Sequence, residues 1–112
     1  MVLHGYAFGP DDVDRLFGAA ELASPRRLVV LLPTGSTDRE GRKFWNASAT
    51  CCNYDGLPVD DVGYLRGLLD EVIAAWPIDQ DRIYVLGHSN GGLPRWIGLP
   101  GTRSKASKDG SP

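Results

Sequence analysis

The stretch Ile83-Tyr84-Val85-Leu86-Gly87-His88-Ser89-Asn90-Gly91-Gly92 decides how the rest of the chain is read. A short apolar run rich in β-branched and aromatic residues reads as a buried strand. It runs directly into the spacing G-x-S-x-G, in which glycines at 87 and 91 relieve crowding where a strand turns sharply into a helix. Such a turn holds Ser89 in a strained, exposed backbone conformation, and the residues after it should begin a helix whose positive end points back at the serine.

Working outward, residues 62–76 place Val62, Leu65, Leu68, Leu69, Val72, Ile73 and Trp76 on one broad helical face, with Asp60 or Asp61 as cap and Pro77 as stop. Leu28 to Leu32 is a short continuous apolar run closed by Pro33 and Gly35, which predicts a second buried strand. Strand, helix and strand in this order predict a βαβ unit with parallel strands and a right-handed crossover. Ser89 then lies at the carboxyl end of a strand, the edge where open α/β sheets bind ligands. A further helix is expected over residues 11–22, with acidic residues in its first turn, apolar positions at Val13, Leu16, Phe17 and Ala20, and Ser24-Pro25 as its end. Residues 33–60 form a long, polar, turn-rich connection. After Leu93 the pattern fails, Pro94 interrupting the helix just begun, and 100–112 is expected to be a disordered tail behind a domain spanning 1–99.

The chain has 112 residues, 12 basic and 14 acidic, with a net charge of -2. The charges are scattered, which argues against a nucleic-acid partner. The longest apolar run falls far short of the roughly 20 residues of a membrane helix. The N-terminus shows no export signal, so the compartment stays open. Adjacent Cys51 and Cys52 match neither a zinc spacing nor a redox CxxC. A strained ring disfavours a bridge between them, which leaves small buried residues or a disulfide to a cysteine outside this chain.

A serine on such a turn is placed for nucleophilic attack on an acyl carbon, with the N–H of Asn90 as one donor to the developing oxyanion. The His-Gly turn of Leu3-His4-Gly5-Tyr6 supplies a second donor, the Tyr6 N–H, with Gly5 next. Together with Arg42-Lys43-Phe44-Trp45-Asn46, Cys51-Cys52, Val59-Asp60-Asp61-Val62 and Asp79-Gln80-Asp81-Arg82-Ile83-Tyr84-Val85, these motifs resemble, in order over residues 3–92, the polyhydroxybutyrate depolymerase and feruloyl-esterase-like branch of the α/β-hydrolases. The resemblance implies a partial α/β-hydrolase fold and a serine carboxylic ester hydrolase acting through an acyl-enzyme. Ser89 would be the nucleophile and Tyr6 and Asn90 the oxyanion hole. The substrate would be a small or polymeric ester of hydroxyalkanoates or aromatic acids, with no cofactor and no metal. Members of that branch are often extracellular.

The family order places an acid and a histidine after the serine, and no histidine follows Ser89 here. The chain therefore reads as truncated at both ends and inactive alone, with sheet edges left uncovered for association. His88 should diverge from the serine on the tight turn, and His4 is expected to shape the oxyanion loop rather than to act as base. Asp60, Asp61, Asp79 and Asp81 sit at element boundaries and read as caps and turn formers. By resemblance Trp45 and Asn46 line the cleft, although a core tryptophan beside a hydrogen-bonded asparagine is commoner. Alternatives to an esterase are a non-catalytic α/β interaction module and a gene fragment without a role.

Overall fold

A computed structural model of the protein describes residues 1–46, 51–92 and the backbone of 102–106. It is a small α/β unit. Helix α1 is Pro10–Phe17 and helix α2 is Asp61–Ala75. The strands are β1 (Val2–Leu3), β2 (Ser36–Thr37), β3 (Lys43–Phe44), β4 (Ile83–Gly87) and β5 (Thr102–Ala106).

β4 lies in the middle of a three-stranded sheet of order β1-β4-β5, parallel to both neighbours. Val2 stands opposite Leu86 and Leu3 opposite Gly87, and on the other side the register runs from Ile83 opposite Thr102 to Gly87 opposite Ala106. Along β4, Ile83, Val85 and Gly87 are buried while Tyr84 is exposed, the period-two alternation of a strand with one covered face. α2 covers that face: Leu65 and Leu69 pack into a cluster with Leu3, Ile83, Val85 and Trp45. The start of α2 is fixed by Asp60, whose Oδ1 accepts the Gly63 N–H at 2.9 Å. Its end comes at Trp76, which is extended, as the residue before a proline prefers.

Several expectations need correction. Residues 28–32 form no strand, and Leu28 and Val29 are exposed. Their place beside β4 is taken by β1, and the 28–32 segment lies against β1, the Val2 N–H donating to the Leu31 carbonyl at 2.9 Å. The βαβ unit therefore does not join 28–32 to β4. α1 stops at Phe17 because Gly18 adopts a left-handed conformation (φ 64°) and donates to the Asp14 carbonyl; a 3₁₀ turn over Ala20–Leu22 follows instead of continued helix. Residues 102–106 pair along the whole of β4; 100, 101 and 107–112 of the expected tail lie outside the described residues.

The connection expected over 33–60 contains a small antiparallel hairpin, β2 with β3, closed by Asp38 accepting the N–H groups of Glu40 and Arg42, both at 2.9 Å. In the same connection Cys51 and Cys52 are joined to each other, correcting both readings of the pair. Between the 28–31 segment and the end of α2 runs an open groove of about 770 Å³, with Leu28, Val29, Ile73, Trp76 and Ile78 among its walls. Among the described residues no helix is long and apolar enough to cross a membrane.

Candidate active site

Parallel pairing of β1 with β4 brings two sequence-distant turns to one edge. Because Leu3 stands opposite Gly87, the chain leaves β1 as His4-Gly5-Tyr6 beside the place where it leaves β4 as His88-Ser89-Asn90. The pairing continues one residue further, His88 N–H donating to the Leu3 carbonyl at 3.1 Å.

Ser89 sits in the left-handed region at φ 50° and is exposed. A non-glycine residue there is strained by about 1–3 kcal/mol and persists only where its surroundings fix it. The glycines supply that surrounding. A Cβ on Gly87 would collide with the Gly91 carbonyl, and one on Gly91 with the carbonyl oxygens of Leu3 and His4. Ser89–Gly91 forms a single 3₁₀ turn, with Gly91 N–H donating to the His88 carbonyl and Gly92 N–H to that of Ser89. The helix expected to continue from it falls on 93–100, outside the described residues. The Ser89 hydroxyl makes no hydrogen bond to any described residue, and the N–H of Asn90 donates to no described backbone carbonyl.

The turn is braced from below by a side chain. Asn90 is fully buried; its Oδ1 accepts the Trp45 N–H at 2.7 Å and its Nδ2 donates to the Trp45 carbonyl at 3.1 Å. Nδ2 also approaches Cys51 Sγ at 4.0 Å. Trp45 is itself fully buried and its Nε1–H donates to the His4 carbonyl at 2.9 Å. A reading of Asn90 as a main-chain donor alone misses this side-chain brace, which nothing local in the sequence announces.

The facing turn is built around His4. It is fully buried, its ring 5.0 Å from that of Trp45. Gly35 N–H donates to Nε2 at 2.9 Å, so Nε2 carries no proton; Nδ1 lies 2.8 Å from the Gly5 carbonyl, which can only accept, so Nδ1 carries it. His4 is thus a neutral imidazole with both nitrogens engaged, and burial pushes its pKa below the usual 6.5. Beyond it, Phe8 N–H donates to the Gly5 carbonyl and Ala7 N–H to that of Lys43, and Ala7 has φ 65°. Tyr6 is held through its hydroxyl, which donates to Asp38 Oδ2 at 3.1 Å, and through an edge-on contact with Tyr54 at 5.4 Å. The Tyr6 N–H, like that of Asn90, donates to no described backbone carbonyl.

The remaining candidates fall away from the edge. His88 turns its ring toward Phe8, at 6.5 Å, and Gly5. Asp60 caps α2, and Asp79 accepts the Asp81 N–H at 3.0 Å and pairs with Arg82. Asp61 is buried, its Oδ2 accepting the Asn46 N–H at 2.6 Å, and burial holds its carboxyl above the usual range. Asn46 is exposed and donates to the Val59 carbonyl, which ties it to the start of α2, whereas Trp45 is bonded to Asn90 and His4. Among the described residues no group of His, Cys, Asp or Glu is arranged to hold a metal ion.

No family model matches the chain, and no solved structure matches it. Among curated proteins it is similar to one described as "Putative esterase NocK", from Nocardia uniformis subsp. tsuyamanensis, 29% identical over 93 residues. The match covers 83% of this chain and 26% of that protein, so the chain spans about a quarter of its relative's length. The likeness is esterase-like in general terms.

Proposed function

We propose that this chain carries the nucleophile and oxyanion half of a serine carboxylic ester hydrolase site on a partial α/β-hydrolase fold, of the polyhydroxybutyrate depolymerase and feruloyl-esterase-like kind. The observation that carries the reading is the exposed, left-handed Ser89 at the carboxyl end of β4, directly beside the turn that presents Tyr6. In the reaction the Ser89 Oγ attacks the ester carbonyl carbon and loses its proton to a base, while the carbonyl oxygen gains negative charge facing the N–H groups of Tyr6 and Asn90. The C–O bond to the alcohol then breaks, leaving an acyl-serine that water hydrolyses.

The base is the missing part. His4 has its Nε2 lone pair committed to Gly35, His88 turns toward Phe8, and the chain has no third histidine. An unassisted serine hydroxyl is a poor nucleophile, so the chain alone turns esters over slowly or not at all. Free imidazole can stand in for the base. With p-nitrophenyl butyrate and imidazole, the wild-type chain should release nitrophenol faster than imidazole alone and show a butyryl adduct on Ser89 by peptide mass spectrometry. Equal release by wild type and Ser89→Ala, or an adduct elsewhere, overturns the assignment. It would leave the second reading, a non-catalytic α/β interaction module, which the exposed apolar groove beside residues 28–31 favours.

A further inference from the structure

On the α1 side of the Gly5–His88 contact lies a cavity of about 270 Å³. Its walls include Phe8, Val13 and Leu16, and its floor is Gly5 and His88. The floor residues immediately precede Tyr6 and Ser89, and they touch: a Cβ on Gly5 would stand 3.2 Å from His88 Nδ1 and 3.5 Å from the His88 carbonyl. Phe8 and Leu16 are each more than half exposed, 51% and 56%, although both are large and apolar. Arg15 Nη2 lies 3.1 Å from Asp12 Oδ1, and Asp12 Oδ2 accepts the Gly9 N–H at 2.7 Å. An aliphatic group there would cover Phe8 and Leu16 at about 25 cal/mol per Å² removed from water.

We propose that this cavity binds the acyl chain of the ester, an uncharged aliphatic chain of at most about nine carbons at roughly 30 Å³ for each water-sized group. The proposal rests on Ser89 as nucleophile. Tyr6 and Ser89 each follow a floor residue in the chain, and Val13 and Leu16 line the same cavity. Filling the cavity by Leu16→Trp excludes the outer two or three methylenes, at about 0.8 kcal/mol each, which lowers selectivity for hexanoyl over acetyl esters by about tenfold or more. Leu16 is exposed, so this substitution leaves the core untouched.

Two measurements test it. The first is proton NMR of the Ser89→Ala chain titrated with methyl hexanoate, in which the Phe8 and His88 ring signals should shift, and should shift far less with Leu16→Trp added. The second is imidazole-assisted acylation of Ser89 by p-nitrophenyl hexanoate and acetate, in which the wild type should prefer the hexanoate and Leu16→Trp should lose that preference. Unshifted ring signals together with normal acylation of Ser89 overturn the acyl pocket and leave the nucleophile standing. Shifted ring signals with no acylation of Ser89 by either ester overturn the nucleophile, and with it the acyl role of the cavity.

Discussion

Replacing Asn90 should unfold the chain more readily than its single side chain suggests. Its amide makes two bonds to the main chain at Trp45, both in a fully buried setting. Asn90→Ala takes the acceptor from the Trp45 N–H, at about 1–3 kcal/mol for a buried donor left without one, and removes the bond to the carbonyl, worth about 1 kcal/mol. The sum, about 2–4 kcal/mol, is a large share of a small domain's stability and should lower the urea midpoint by on the order of 2 M. Asn90→Asp separates the two bonds. It keeps an acceptor for the Trp45 N–H but turns a second oxygen toward the Trp45 carbonyl, so near neutral pH it should cost nearly as much as alanine. Burial and the facing carbonyl hold the introduced carboxyl protonated to a higher pH in the folded chain than in the unfolded one. Stability is then greatest below the unfolded value of about 3.9 and is lost as pH rises through the folded one. The assay is urea unfolding of wild type, Asn90→Ala and Asn90→Asp, followed by tryptophan fluorescence, at pH 4 and pH 7. An alanine variant within about 0.5 kcal/mol of wild type, or an aspartate variant whose deficit is the same at both pH values, refutes the brace.

Other outcomes follow from the same geometry. Acidification should weaken the fold through His4: its folded pKa lies below the usual 6.5, so its contribution is present above pH 6.5 and is lost as pH falls toward the folded value, and His4→Phe should flatten that part of the urea-midpoint profile. Gly91→Ala, which drives a methyl into the carbonyls of Leu3 and His4, should abolish cooperative unfolding, whereas Gly67→Ala on the open face of α2 should raise stability by about 0.5–1 kcal/mol in thermal melts. Ser89→Gly should stabilise the chain by about 1 kcal/mol, by removing the strain of a left-handed serine, while eliminating imidazole-assisted acylation.

The features legible in the sequence are those written locally. α2 announces itself through a broad apolar face, a capping aspartate and a terminal proline, and β4 through an apolar run closed by a glycine. The bend at Ser89 is likewise carried by its own flanking glycines. What failed depends on distant partners. A run such as Leu28–Leu32 reports apolar character, but strand formation needs neighbours on the ladder, and β1 occupies the place beside β4. β1, β2 and β3 have two residues each, too few for any periodicity to register. β5 carries the polar sequence Thr-Arg-Ser-Lys-Ala, and its pairing follows from the open edge of β4. The His-Gly pair marks a turn locally, but nothing near it in the sequence announces the clasp of His4 on Gly35, 31 residues on.

The Asn90–Trp45 clasp also bears on the order in which this chain becomes structured. It fastens segments 45 residues apart, so the bend at Ser89 has no side-chain support until the hairpin region has docked. Loop closure of that length must come first, and its entropy is repaid only once both bonds form together. A peptide limited to β4 and the glycines of its turn should accordingly relax the serine into an ordinary extended or helical conformation, so the left-handed bend depends on the assembled chain.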